Sequence, residues 1–209
     1  MADFFKMEDL INTDFDLSSQ FHVLKHFTVI SKEYRDQILN NLDYSPGEID
    51  ERLKRSVSKF HPDFVSDPLN LYQILIKEIS VNNTVINWVN NRCDLQLIYP
   101  KEQYPAGIGD DRTVKVADLT DKERRSIRFE DRNGEKIRIA RGKSKSTWKV
   151  NIILYKIQDK MEILSIFPGE YAPPLPDKEN QTGEEYLNSK NFWKDHVFLK
   201  INENLTGRS

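Results

Sequence analysis

Cysteine is nearly absent, since Cys93 is the single thiol in 209 residues. One cysteine excludes an internal disulfide and any zinc site built from several thiolates. Chains with so little cysteine are typical of reducing compartments, and we expect a cytoplasmic protein.

Long hydrophobic runs are also missing. No apolar segment approaches the roughly 20 residues that a membrane-spanning helix needs. The first ten residues, MADFFKMEDL, include acids and lack an apolar core followed by small residues. This pattern predicts that no signal peptide is present and that no membrane is a partner.

Several motifs of nucleotide-binding and hydrolytic enzymes do not occur. The chain has no GxGxxG, no Walker A sequence and no GxSxG, which argues against a Rossmann domain, a P-loop NTPase and an α/β-hydrolase. His22 and His26 have the spacing of one helix face, but no HExxH pattern or third ligand accompanies them. We therefore predict no metal and no cofactor.

Charge is unevenly distributed along the chain. The total is close to neutral at -2, yet residues 112–160 carry 15 Lys and Arg against 7 Asp and Glu, and residues 1–93 carry 10 against 14. A local positive surface attracts polyanions through counterion release, whatever the total charge. The other interpretation is that strands with one solvated face need charged residues there.

Helix signals dominate residues 1–93. Ser31 is placed to cap a helix, and Asp67 with Pro68 opens another. Ser45, Pro46 and Glu48 form a capping-box sequence, in which the side chain of Ser45 and that of Glu48 each accept a hydrogen bond from the backbone N–H of the other residue. We predict a helical region over residues 1–93, with an additional short helix near residues 4–11 and another over residues 84–90.

The tripeptide His61-Pro62-Asp63 follows a helical pattern that ends in Lys59-Phe60. This stretch resembles the second helix and loop of the J-domain co-chaperones. The resemblance implies binding to an Hsp70 partner, but it covers about 20 residues and Asp50 and Glu51 interrupt the basic face. The alternative is a helix stop, because proline disfavours helical geometry in the residue before it.

Strand signals dominate residues 94–209. Apolar and polar residues alternate over 94–99, 113–117, 137–139, 150–154 and 161–166, and such a period of two is typical of half-buried strands. Asn133-Gly134 is a strong hairpin signal. We predict an α+β fold in which short N-terminal helices precede a mainly antiparallel sheet of five to seven strands, with a second domain at residues 94–209 that packs with the first as one unit or separately.

The segment 136–176 carries the most distinctive polar residues. We predict a basic, hydroxyl-rich turn over residues 141–147, before a long strand, and a turn stiffened by prolines over residues 167–176. A basic turn at the rim of a sheet suits a phosphate group. Residues 177–185, DKENQTGEE, are predicted to be a loop.

This arrangement resembles the C-terminal ribonuclease domains of bacterial polymorphic toxins, a broad group that includes barnase, EndoU, colicin and RelE-like enzymes. About 100 residues are involved, and the resemblance is carried by Arg141-Gly142, Ser146-Thr147, the turn at 167–176, Phe192-Trp193 and His196. It implies helices before a twisted antiparallel sheet and metal-independent RNA cleavage on the sheet. A neutralising protein partner is also implied.

RNA cleavage needs a proton-transfer group, cations for the phosphate and aromatic rings for unpaired bases. His196 is the predicted acid or base, and Tyr171 is a candidate for stacking or proton transfer. The predicted catalytic residues are His196, Arg141, Thr147 and Tyr171, and the predicted RNA-binding residues are Lys143, Lys145, Ser146 and Arg128. Each has a structural alternative, such as a surface histidine, a solvated basic turn or a tyrosine packed on prolines. Trp148 and Trp193 are predicted to be core or anchor residues.

A non-enzymatic module is the second hypothesis. In it the sheet or the helices bind a protein partner, and the polar residues named above are ordinary surface.

Overall fold

The computed structural model describes residues 15–55, 58–81, 92–126, 130–132, 135–157 and 160–198. Contacts divide the chain into two compact units. The first unit consists of Met1–Asp111 and Lys145–Gly169, and the second of Arg112–Ser144 and Glu170–Ser209. The division differs from the expected boundary at residue 93, because the helical region and the strands at 92–98 and 149–168 share the first unit.

Six α-helices lie within the described ranges: α1 (Leu17–Val23), α2 (Lys32–Asn41), α3 (Pro46–Arg55), α4 (Pro68–Val81), α5 (Asp121–Ser126) and α6 (Gly183–His196). A 3-10 turn, Leu24–His26, continues α1, and a second one spans Val116–Asp118. Nine strands lie in the same ranges: β1 (Lys59–Phe60), β2 (Arg92–Ile98), β3 (Gly109–Thr113), β4 (Glu130–Arg132), β5 (Glu135–Ile139), β6 (Arg141–Thr147), β7 (Lys149–Ile157), β8 (Lys160–Pro168) and β9 (Val197–Phe198).

The predicted helix starts in the first unit are confirmed. Ser31 Oγ accepts the Tyr34 N–H at the start of α2. Ser45 and Glu48 form the expected capping box, since Glu48 accepts the Ser45 N–H at 2.8 Å and Ser45 Oγ accepts the Glu48 N–H at 3.3 Å. Side-chain oxygens thus satisfy N–H groups that have no partner inside the helix.

Helix α4 buries one of its faces. Leu71, Leu75 and Ile79 are buried, whereas Leu69 is 41% exposed. Residues spaced by four form this buried stripe, which lies on one face of a helix. The helices near residues 4–11 and 84–90 fall outside the described residues.

The strands form three three-stranded sheets with the orders β1-β3-β6, β2-β7-β8 and β4-β5-β9. A mixed helix-and-sheet fold with antiparallel pairing is confirmed, since β2, β7 and β8 pair antiparallel and so do β4, β5 and β9. A single sheet of five to seven strands is wrong. The strands are distributed among smaller sheets because several are only two to five residues long.

A β-bulge in β8 explains its irregular apolar pattern. Ile153 pairs with Ser165 and Leu154 with Ile163, which leaves Leu164 as the extra residue. The bulge changes the side-chain parity along the strand. Ile163 and Ile166 therefore both reach the core, while Leu164 is 42% exposed.

The core of the first unit lies on one face of the β2-β7-β8 sheet. It is covered by helical residues and includes Val23, Phe27, Leu71, Leu95 and Ile152. Such close apolar packing supplies most of the stabilisation of a small domain.

The tripeptide His61-Pro62-Asp63 does not follow a helix. Helix α3 ends at Arg55, and Lys59–Phe60 form β1, which pairs antiparallel with β3 through Asp110 and Gly109. Phe60 is 2% exposed. The expectation that a helix continues to His61 is therefore wrong, because the strand buries the aromatic residue that precedes the tripeptide.

The second unit has a small core of its own, made of Val114, Val116, Leu119 and Ala140. The predicted hairpin is confirmed, since β4 and β5 pair with Arg132 opposite Glu135. Residues 133 and 134 of its turn fall outside the described residues.

Three local expectations in this region are wrong. The segment 113–117 is not a strand, because β3 ends at Thr113 and a 3-10 turn begins at Val116. The basic segment Arg141–Thr147 is strand β6 rather than a turn. The stretch expected to be a loop ends in helix α6, whose first turn Thr182 and Glu185 cap.

Candidate functional site

His196 is the last residue of helix α6. Its Nδ1 lies 2.6 Å from the carbonyl oxygen of Phe192, one turn earlier. A carbonyl only accepts hydrogen bonds, so Nδ1 carries the proton in the neutral ring and Nε2 keeps its lone pair. The imidazole also stacks on the Phe192 ring, with 3.9 Å between centroids and 1° between planes. Both contacts fix the orientation of a half-buried ring whose Nε2 can accept a proton.

Backbone pairing brings His196 to the beginning of strand β6. The Ala140 N–H donates to the His196 carbonyl oxygen at 2.9 Å, and Ile139 of β5 pairs with Val197 of β9. Arg141 directly follows Ala140. The backbone of Arg141 thus begins one residue after a hydrogen bond to His196, although 55 positions separate these two residues in the sequence.

A close packing contact fixes β6 beside the segment that follows β3. A Cβ built on Gly142 would lie 2.6 Å from Cγ1 of Val114. Real Cβ atoms essentially never come that close to another atom, so glycine permits this approach of the Val114 side chain to the β6 backbone. Lys143 directly follows Gly142, Lys115 directly follows Val114, and both lysines are exposed.

The surrounding charges are of both signs, since Lys115 pairs with Asp195 and Lys143 acts on Glu123. Arg112 donates from Nε to Ser144 Oγ at 2.7 Å, and Lys143 is exposed. Glu123 lies in the same unit, and its carboxyl pKa is lowered chiefly by the side-chain and backbone hydrogen bonds of Thr120, with a smaller contribution from Lys143. We call Arg112, Lys115, Arg141 and Lys143, the basic residues of the segments 112–115 and 141–143, the basic cluster.

The remaining predicted residues are placed elsewhere. Lys145 and Ser146 are exposed residues of β6 in the first unit. Thr147, the last residue of β6, is buried, and its Oγ1 accepts the Lys149 N–H at 3.3 Å. Thr147 thus uses its hydroxyl within the fold. Tyr171 is half-buried in the second unit, and Arg128 falls outside the described residues.

Both tryptophans act as anchors, as expected. Trp193 is buried, and its Nε1–H donates to the carbonyl oxygens of Pro173 and Pro174 at 2.9 and 3.0 Å. Trp148 donates to the Tyr104 carbonyl oxygen at 2.6 Å. Each indole buries its apolar ring and still satisfies its polar N–H.

Sequence reasoning missed Lys115 and Asp195 and did not predict the stacking of Phe192 on His196. Lys115 lay in a segment that was expected to be a strand, and Phe192 and Asp195 lay in a helix that was not expected. The signal for that helix was present, because Thr182 and Glu185 have capping-box spacing. Within helix α6, Phe192 and His196 are four residues apart and therefore lie on the same face of the helix.

No group of three or more His, Cys, Asp or Glu side chains that could hold a metal ion occurs among the described residues. Within the same part of the chain, no helix is long and apolar enough to cross a membrane. Comparison of the chain with protein-family models, with curated proteins and with solved structures finds no match.

Proposed function

We propose that this protein is a toxin-like, metal-independent endoribonuclease whose site lies on the second unit. The observation that carries the proposal is the bond from Ala140 to His196, which sets an oriented imidazole beside the first residues of β6. Those residues include Arg141 and Lys143, which are suited to a phosphate.

In the proposed reaction, His196 Nε2 takes the proton of a ribose 2′-hydroxyl. The 2′-oxygen then bonds to the adjacent phosphorus, and the bond from phosphorus to the 5′-oxygen breaks. The leaving oxygen takes a proton from water. The products are a 2′,3′-cyclic phosphate and a 5′-hydroxyl.

The basic cluster supplies the electrostatic part of the reaction. Negative charge grows on the phosphoryl oxygens as the 2′-oxygen attacks, and cations aimed at those oxygens stabilise the transition state. Arg141 is proposed to bind two phosphoryl oxygens through its planar fork, and Lys143 to act as a point charge. Residues 1–93 are proposed to bind a neutralising protein partner, and the protein is proposed to act in the cytoplasm.

A second candidate is a protein-interaction module. It is favoured by Ile98, which is 72% exposed on β2, a strand at the edge of the β2-β7-β8 sheet. An exposed apolar residue on an edge strand is a feature of surfaces that add a strand from a partner.

The proposal is tested with purified protein and end-labelled total RNA in excess EDTA. We expect cleavage that leaves 2′,3′-cyclic phosphate ends in the wild type and in His22→Ala, an exposed histidine outside the site. The double variant Arg141→Ala, His196→Ala should be inactive while retaining the wild-type unfolding midpoint in urea. Equal cleavage by the wild type and the double variant would refute the site, and no cleavage by the wild type would favour the interaction module.

A further inference from the structure

Lys115 and Asp195 form an ion pair inside the candidate site, with 3.7 Å between Nζ and Oδ2. We propose that Lys115 is a further phosphate-binding residue and that Asp195 holds its ammonium group when no RNA is bound. This inference rests on the proposed function, since its ligand is the backbone of a single-stranded RNA that lies across the same site.

The position of Lys115 follows from two contacts. Val114, the residue before it, packs against Gly142, so Lys115 borders the part of β6 that carries Arg141 and Lys143. Asp195, its partner, directly precedes His196. Lys115 therefore pairs with the residue that precedes His196 and follows the residue that packs against β6.

The ion pair is weak enough to be replaced. Its 3.7 Å separation exceeds hydrogen-bond distance, and the side chains of Lys115 and Asp195 remain 58% and 50% exposed. Ion pairs with this exposure contribute little to stability because water and salt screen them. Binding of the RNA backbone also releases counterions that are condensed on the RNA, a gain that the single carboxylate of Asp195 does not offer.

The alternative role for this pair is structural. In that case Lys115 and Asp195 would join the end of α6 to the turn at Val116–Asp118, and either substitution would loosen the site. The two roles predict opposite effects for one substitution. A structural link predicts that Asp195→Asn weakens RNA binding, whereas a competing carboxylate predicts that Asp195→Asn strengthens it.

The experiment measures binding of a fluorescent 2′-O-methyl RNA oligomer, which lacks the attacking hydroxyl, by anisotropy over a range of salt concentrations. Lys115→Ala should weaken binding about fivefold at 0.1 M salt, the effect of about one lost phosphate contact on a single strand. The slope of log affinity against log salt should become less steep by about 0.7, the value for one phosphate contact on a single strand. Asp195→Asn should tighten binding, and Lys54→Ala, an exposed lysine on α3, should behave as the wild type.

The outcomes separate this inference from the proposed function. Weaker oligomer binding by Lys115→Ala together with tighter binding by Asp195→Asn supports the phosphate role of Lys115. This holds even if unmodified RNA is not cleaved, because absence of cleavage would refute only the ribonuclease proposal. Cleavage of unmodified RNA with unchanged oligomer binding by Lys115→Ala would refute the inference and leave the ribonuclease standing. Weaker binding by Asp195→Asn would assign the pair a structural role, and absence of oligomer binding by the wild type would overturn the inference.

Discussion

The backbone N–H of Ala140 donates to the carbonyl oxygen of His196 at 2.9 Å. This bond extends the pairing of β5 with β9 by one residue and ends where β6 begins. It therefore joins the C-terminus of α6 to the basic strand. The location of His196 relative to Arg141 depends on backbone geometry, which single side-chain substitutions at either residue leave intact.

Gly142→Ala should destabilise the second unit and reduce RNA cleavage. The new methyl group would meet Val114, whose branched side chain is buried and has little freedom to move. Overpacking of this kind costs about 1–3 kcal/mol. Urea unfolding of Gly142→Ala, Val114→Ala and the double variant gives a double-mutant cycle. The free energy of unfolding lost by the double variant should be smaller, by at least about 0.5 kcal/mol, than the sum of the two single losses. Strictly additive losses would show that the two residues are not in contact.

Lys59→Met should destabilise the first unit. The Lys59 ammonium donates to the carbonyl oxygens of Lys25, Phe27 and Leu53, which belong to the ends of the first 3-10 turn and of α3. Burial lowers the pKa of Lys59 to about 8, so the group is still mostly charged at neutral pH. Methionine keeps the apolar stem and removes the donors, with an expected loss of about 2–4 kcal/mol in urea unfolding. The exposed Lys54→Met is the matched control, and equal midpoints for the two variants would contradict this role.

His26 should make the protein less stable in mild acid. Burial, followed by the nearby charge of Lys25, lowers the pKa of His26 to about 3, well below its ordinary value. The unfolded chain therefore binds a proton between pH 6.5 and 3 that the folded chain does not, and stability falls as the pH decreases through this window. From pH 7 to pH 5 the loss from this group is about 2 kcal/mol. Over that interval, urea unfolding should show a smaller loss of stability for His26→Gln than for the wild type. Partial burial also lowers the pKa of His22, so His22→Gln should lose somewhat less than the wild type but more than His26→Gln. Identical losses in all three proteins would rule out His26.

Asn151→Leu should destabilise the β2-β7-β8 sheet. Asn151 is 2% exposed. Its Nδ2 donates to the Gly169 carbonyl oxygen at 2.6 Å, and its Oδ1 accepts from Gln96 Nε2 at 2.9 Å. Leucine leaves the Gly169 oxygen without this donor, at a cost of about 1–3 kcal/mol. Thermal and urea unfolding should show a smaller loss of stability for Gln96→Leu, because Gln96 is exposed. A similar loss for the two variants would mean that water replaces the buried amide of Asn151.

Local signals predicted much of the fold because they act within a few residues. The capping residues Ser31, Ser45 and Asp67 satisfy N–H groups three positions away, so their effect is visible in the sequence. The alternation in β7 likewise reflects one buried face. The β8 bulge was not predictable, since Leu164 is the extra residue only because β7 fixes the pairing on both sides.

The candidate site was predictable only in part. His196 and Arg141 were chosen for their chemistry, and their proximity depends on strand pairing between distant segments, which has no local signature. The basic segment at 141–147 was expected to be a turn because Gly142 and two serines favour turns. In the structure Gly142 instead permits close packing against Val114. Lys115 was missed because nothing in its own neighbourhood indicates that contact.

The central claim, 2′-hydroxyl attack assisted by His196, is tested most directly with a DNA oligomer that contains a single ribonucleotide, in EDTA. The wild type and His22→Ala should cut only after the ribonucleotide and leave the all-DNA oligomer intact. His196→Ala should cut at least about 100-fold more slowly under single-turnover conditions, the usual loss for a proton-transfer residue. Equal rates for the wild type and His196→Ala, or cleavage of the all-DNA oligomer, would contradict the account.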